Sequence, residues 1–286
     1  MNVIKEEEYN KKSKLKFFYM IIIAICIISV IVAFLIQIMD TNKYILYNKK
    51  SKLPELTSDK ISQYKAEFNY IFENKVNYLE NNAYKIEKND KEKEIVYMGF
   101  ENHEKQINDF ELDVNIPYIN IKNETIDEFN KQIKDVFETK AKSVIETKNC
   151  NIIYTVDYSA YVSNNILSLV VRSTLKEGMN PQRDIVQTYN YDLENHSKCT
   201  IDKLLELKGI SKNSASNLIR EEIKVVQKRV EELGKLGYPI YTRDYTSDIY
   251  SANNISEYFL GKDNALYIIY AYGNLNHTSE MDIIVM

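Results

Sequence analysis

Three histidines, three cysteines and 41 acidic residues are the groups through which this chain could do acid–base, nucleophilic or metal chemistry. His103, His196 and His277 are dispersed and lack metal-ligand spacing, so each reads as a surface or hydrogen-bonded histidine. Asp109/Glu111 and Asp157/Asp192 could meet in space, but carboxylates are too common here for either pair to specify a reaction. Cys26 lies inside an apolar run, while Cys150 and Cys199 lie downstream; one disulfide between them or two free thiols are both open. No CxxC, GxSxG, HExxH or glycine-rich phosphate loop occurs. The expectation is therefore a protein with no catalytic residues, no metal and no cofactor, and not an enzyme.

Tyrosine is the stronger signal. The chain holds 23, concentrated at 238–272. Tyrosine combines broad apolar area with a hydroxyl and loses little rotamer freedom, which suits recognition of proteins or glycans. The segment "YAYGNLNHTSE" interrupts two apolar strand-like runs, and Gly273 can supply a positive φ that turns it sharply. Binding residues tend to sit on loops held by a rigid sheet, which makes Tyr272 and Asn274 the candidate ligand contacts. The rival reading is a structural turn whose asparagines bond their own backbone.

These residues need a scaffold, and the scaffold begins at a membrane. Residues 17–39, "FFYMIIIAICIISVIVAFLIQIM", carry no charge and exceed the roughly 20 residues that cross a bilayer. A signal-peptide core is only about 7–15 residues long, and no small-x-small cleavage site follows. The run predicts a retained single-pass anchor. Lys11, Lys12, Lys14 and Lys16 crowd its N-terminal side, which puts residues 1–16 in the cytoplasm and the remainder outside. The whole chain is −4, and the lysine-rich tail makes the outer part more acidic still. That argues against a nucleic-acid partner and leaves room for a basic protein.

Residues 40–91 read as a connector and a stalk helix, or a helix packed on the domain. Thr57 or Ser58 caps it, and Ile61, Tyr64, Phe68, Phe72 and Leu79 recur near helical spacing. From 92 to 286 the period alternates. "EIVYMGF" and "FELDVNIPYI" read as strands; a helix at about 124–147 carries Ile126, Phe129, Ile133, Val136 and Lys140. Three strand-like runs follow, with "SNN" at 163–165 as a hairpin turn. "TIDKLLEL" is a short capped helix. A longer one at about 213–233 presents Ile219, Ile223, Val226, Val230 and Leu233, with Gly234 and Gly237 at its end. Strands close the chain. The fold class expected is α+β: a single N-terminal transmembrane helix, then an antiparallel sheet with the helices packed on one face.

"FELDVNIPYINIKNETIDEFNKQI", "ILSLVVRSTLKEG", "YNYDL" before "CTIDKLLEL", and "YFLGKDNALYIIYAYGN" come in an order that resembles a known module. It is the extracytoplasmic module of bacterial anti-sigma-V factors that sense lysozyme, which also precedes the catalytic domain of some peptidoglycan deacetylases. The resemblance covers about residues 92–286. It implies a non-enzymatic α+β binding domain. The tail at 1–16 is too short to wrap a sigma factor, and no deacetylase domain follows, so neither activity is expected. The function expected is a membrane-anchored extracytoplasmic sensor or ligand-binding protein. Its partner would be a cell-wall component or a basic wall-active protein such as lysozyme. An envelope-acting enzyme and an accessory subunit of a membrane complex are the alternatives.

Overall fold

Two β-sheets, each with its own helix layer, build the domain. The computed structural model describes residues 53, 55–79, 86–106, 110–147, 151–238, 240–272 and 279–286. The anchor expected at 17–39, the tail, Cys150, Asn274 and His277 lie outside the described residues. Among those described, no helix is long and apolar enough to cross a membrane.

The first helix, α1 (Ser58–Glu67), is capped by the Thr57 hydroxyl, which accepts from the Lys60 amide. It is shorter than its spacing predicts. A 3₁₀ turn at Phe68–Tyr70 ends it, and the chain then forms strand β1 (Val76–Tyr78). Tyr64 and Phe68 are buried in a core shared with both sheets, and Leu53 is buried beside the later helices. Leu53 and the helix of residues 58–67 are thus packed on the domain rather than standing off it as a stalk.

The larger sheet has seven strands. β2 (Val96–Gln106) and β3 (Phe110–Ile119) pair antiparallel, with an irregularity between Met98 and Phe100. Gly99 sits there because a Cβ would lie 2.2 Å from the Tyr118 ring. β4 (Ile152–Ser163), β5 (Ile166–Glu177) and β6 (Arg183–Asp192) form an antiparallel meander, with the two-residue β7 (Ser197–Lys198) at its edge. The β4–β5 turn is Asn164-Asn165, at φ 51° and 60°; asparagine tolerates these positive angles well, and the predicted hairpin forms. One edge of β4 is shared by two parallel partners, β3 against residues 153–156 and β1 against 160–162.

A helix covers one face of this sheet. It runs α2 (Glu124–Ile133), a π turn (Lys134–Glu138) and α3 (Thr139–Thr147), with Asn123 as its cap. Ile126, Phe129, Ile133, Phe137, Ala141 and Val144 are its buried stripe. The predicted stripe passed through Val136 and Lys140. The wide π turn hands the buried position to Phe137 instead, and Lys140 reaches out to Glu177 at 2.7 Å.

The second sheet is antiparallel: β8 (Glu257–Leu260), β9 (Leu266–Ala271) and β10 (Met281–Val285), in the order β10-β9-β8. Phe259, Tyr267, Ile269 and Val285 face the larger sheet and α1. Tyr258, Leu260, Leu266, Ile268 and Ile284 face the other way, onto α4 (Ile201–Lys208) and α5 (Lys212–Lys235). Thr200 and Ser211 cap these helices, and Gly209 ends α4 at φ 68°.

The chain is thus α+β with antiparallel-rich sheets, but the expected placement of the helices needs correction. The helix of 124–147 and α5 do not share one face of one sheet; they flank two different sheets. The reason lies on the outer face of β4, β5 and β6, which carries Ser159, Ser163, Ser168 and Asn190. All four are buried, because they bond the neighbouring elements rather than water. Ser168 accepts the Leu260 amide at 3.1 Å, and Asn190 donates to the Tyr258 carbonyl at 2.6 Å. Thr188 accepts the Tyr258 amide at 3.0 Å. Side chains of the larger sheet therefore satisfy the free edge of β8.

Glu257, at the start of β8, accepts the Thr188 amide (2.7 Å) and hydroxyl (2.9 Å). Burial pushes its pKa up, and the two donors only partly offset that. The folded state then holds this proton to higher pH than the unfolded chain does. A stabilising contribution present below the unfolded value is lost as pH rises through the folded one. Glu257→Gln, which keeps an acceptor for Thr188, is expected to raise the melting temperature near neutral pH and to change it little at about pH 4. Thermal melts across pH check this; a variant equally shifted at both ends would show that the carboxylate charge is not involved.

Candidate functional site

Tyr272 follows the last residue of β9 and is buried, 6% exposed. Its hydroxyl donates to Asp282 Oδ2 at 2.6 Å and lies 2.7 Å from the Tyr250 hydroxyl. Its ring stacks on Tyr241, with centroids 4.5 Å apart. Asp282 in turn takes both Nε and a terminal nitrogen of Arg243, at 3.0 and 3.1 Å. Arg243 also donates to the Tyr241 carbonyl (2.7 Å) and pairs with Glu280 (3.1 Å). Gln227, buried on α5, accepts the Arg243 amide at 2.6 Å.

The electrostatics of this network are closed. Burial works against the Arg243 charge, but the Asp282 and Glu280 carboxylates outweigh it and raise its pKa. Burial and the Asp282 carboxylate hold Tyr272 well above the ordinary phenol range, so it remains a neutral donor. Four of the five guanidinium N–H groups are engaged inside the protein. The arrangement ties Tyr241, Arg243 and Tyr250 to β10 through Asp282 and Tyr272. The structure thus places Tyr272 in an interior network, while Asn274 lies outside the described residues.

Asp109, of the pair Asp109/Glu111, lies outside the described residues; the pair Asp157/Asp192 does not. Asp157 stands opposite Arg172 on β5 and Asp192 opposite Ile166, six residues along that strand or roughly 20 Å. The pair is not brought together. His103 is exposed and bonds Asp113 at 2.7 Å; His196 takes a positive φ of 52° in a turn. Cys199 is a free, buried thiol, and burial pushes its pKa up to about 12. Among the described residues no group of three or more His, Cys, Asp or Glu could hold a metal.

An open cleft of about 390 Å³ lies between α1, β1 and the second sheet. Sequence reasoning missed it because its walls come from three stretches far apart in the chain, 64–79, 161 and 262–267. α1 and its 3₁₀ turn contribute Tyr64, Glu67 and Tyr70; the β1 region contributes Glu73, Lys75, Asn77 and Leu79. Tyr161 comes from β4, and Lys262 and Tyr267 from the second sheet. Tyr64 is anchored by donating to Asp263 at 2.7 Å, and burial with that carboxylate pushes its pKa up to about 12. Lys75 pairs with Glu73 at 2.6 Å, and Gln63 donates to Glu67 at 2.9 Å. Tyr161 and Tyr267 stack on either side of Phe259, at 5.9 and 4.5 Å. Gly261 leaves room for this, since a Cβ there would lie 2.7 Å from the Tyr267 ring. Tyr70 stands at the rim, 82% exposed. The only sequence signal was tyrosine abundance.

No family model matches this chain, and no curated protein matches it. Among solved structures it is similar to a DUF3298 family member from Bacteroides fragilis, 14% identical, with a TM-score of 0.40, covering 62% of this chain and 81% of that one. It is also similar to a DUF3298 family protein from Pseudomonas aeruginosa, 11% identical, with a TM-score of 0.37, covering 60% and 79%. At these scores the likeness carries neither a fold nor a function across.

Proposed function

We propose that this chain is a membrane-anchored, outward-facing binding protein of the bacterial envelope. It recognises a cell-wall component or a basic wall-active protein such as lysozyme, and it catalyses no reaction. The observation that carries the reading is the open, tyrosine-walled cleft, whose acids Glu67 and Glu73 are held by Gln63 and Lys75 rather than aimed at a reacting centre. Aromatic faces with a few polar groups around them suit recognition. The anchor is supported by the apolar run at 17–39, and a basic partner by the net charge of −4. In this reading Tyr272 acts through the Arg243–Asp282 network, and Asn274, two residues on, contacts ligand.

The test uses the full chain in detergent, with purified wall sacculi and lysozyme as the two probes. Retention on one of them, saturable and lost on thermal unfolding, is the expected result. A folded chain retained by neither would overturn the reading.

A further inference from the structure

We propose that the free edge of β10 is a strand-addition site. It takes an extended segment of a partner polypeptide, with apolar residues at alternate positions and a carboxylate toward Arg229. The site is separate from the cleft above and does not rest on the binding reading. β10 is the terminal strand of the second sheet. Met286 and Leu266 exchange both backbone bonds, at 2.9 and 3.0 Å, and the Tyr272 amide donates to the Glu280 carbonyl at 3.0 Å. In this register Asp282 and Ile284 also bond β9, so the amides and carbonyls of Met281 and Ile283 point to the open side. No backbone group among the described residues takes them up. A groove of about 720 Å³ lies there and touches the four consecutive residues Met281 to Ile284. A hollow on one face of a strand would touch alternate residues, so this one follows the edge.

The walls select the occupant. α1 packs on one face of the second sheet and α5 on the other. Lys65 of α1 pairs with Glu222 of α5, and since the helices lie on opposite faces, that pair reaches round the edge of β10. The edge is therefore recessed, and two copies brought edge to edge would collide through their helices. A single extended segment fits, roughly 4.8 Å from β10, exchanging backbone bonds with Met281 and Ile283. Ser58, Ser62 and Ala66 keep the α1 wall low, while Val226 and Val225, 47% exposed, make the α5 wall apolar. Side chains of the added strand meet the two walls in turn, which calls for apolar residues at alternate positions. The carboxylates lining the groove are engaged, Glu222 by Lys65 and Asp282 by Arg243. Arg229 lines the same groove and has no hydrogen bond or ion pair with a described residue. The charge left over is positive, and a carboxylate on the partner complements it. Lys65 and Glu222 are 26% and 45% exposed, so opening their pair to admit a strand costs little.

The experiment titrates full-length protein in detergent with a fluorescein-labelled peptide of alternating valine and threonine, one threonine replaced by glutamate, and reads fluorescence anisotropy. Wild type is expected to bind it saturably, and the same peptide N-methylated throughout, which cannot pair as a strand, is expected not to bind. Arg229→Glu, at an exposed position, should keep its melting temperature, lose about three- to tenfold in affinity, and regain it for the peptide with lysine in place of glutamate. Ile283→Pro removes an open-side amide without touching a β9–β10 bond and should lose about tenfold or more. Ser62→Tyr, which fills the groove from an exposed position on α1, makes the same test with the strand intact. No saturable binding by wild type, equal binding of the N-methylated peptide, or wild-type affinity in both Arg229→Glu and Ser62→Tyr overturns the proposal. Self-association of the wild-type chain that Ser62→Tyr abolishes would put a second copy in the groove and overturn it too.

Discussion

Asp282→Ala is expected to destabilise the domain by about 3–5 kcal/mol, because it leaves the Arg243 guanidinium buried beside an empty site. The Arg243 side chain is 5% exposed and Asp282 6%, so water cannot take over the lost bonds. The same change removes the acceptor of the Tyr272 hydroxyl, whose other neighbour is the Tyr250 hydroxyl. Glu280 remains, at 3.1 Å, and keeps the loss from growing larger. For a domain of this size the melting temperature should fall on the order of 10 °C. Replacing both partners, Arg243→Met with Asp282→Leu, should recover much of that, since a packed apolar pair avoids the cost of desolvating charge. An Asp282→Ala melt indistinguishable from wild type would show that the network is not buried in solution.

Ile223→Asp is the second large effect. Ile223 is fully buried in the core between α5 and the second sheet, with Ala215 and Ile219 on the same stripe. Burying the isoleucine contributes about 1.5–3 kcal/mol, and an unpaired carboxylate in its place adds a desolvation cost of its own. A loss of several kcal/mol follows, enough to unfold a marginal domain at physiological temperature. Leu233, further along the same helix, is 48% exposed, so Leu233→Asp should move the melting temperature little. Equal losses at both positions would show that the helix packs with a different face inward.

Much of the architecture was legible because it rests on local chemistry. Thr57 and Thr200 cap the helices they were expected to cap, and Asn164-Asn165 forms the expected hairpin. The stripe through Ile126, Phe129 and Ile133 was plain until the π turn shifted it. The second sheet was not seen as separate, because the outer face of β4–β6 mixes Tyr161, Ile166, Val170 and Val186 with Ser159, Ser163, Ser168, Thr188 and Asn190. Such polar residues ordinarily mark a solvent face; here Ser168, Thr188 and Asn190 bond the edge of β8. The continuous run Ile166–Val171 was the available clue, since a strand buried on both faces shows no alternation. Tyr272 drew notice for its place at the loop, but its partner Arg243 lies in a stretch without period, and nothing local pairs it with Asp282. The cleft is harder still, for its tyrosines at 64, 70, 161 and 267 meet only through the tertiary fold.

Site-specific photo-crosslinking in living cells tests the central claim most directly. A benzophenone side chain placed at Tyr70, on the rim of the cleft, would report both what occupies the site and on which side of the membrane it lies. The same probe at Met179, 99% exposed in the β5–β6 turn at the far end of the larger sheet, is the control. The account predicts a crosslink from Tyr70 to wall material or to added lysozyme, and none from Met179. Crosslinks from Tyr70 to cytoplasmic proteins, or the same faint pattern from both positions, would contradict it.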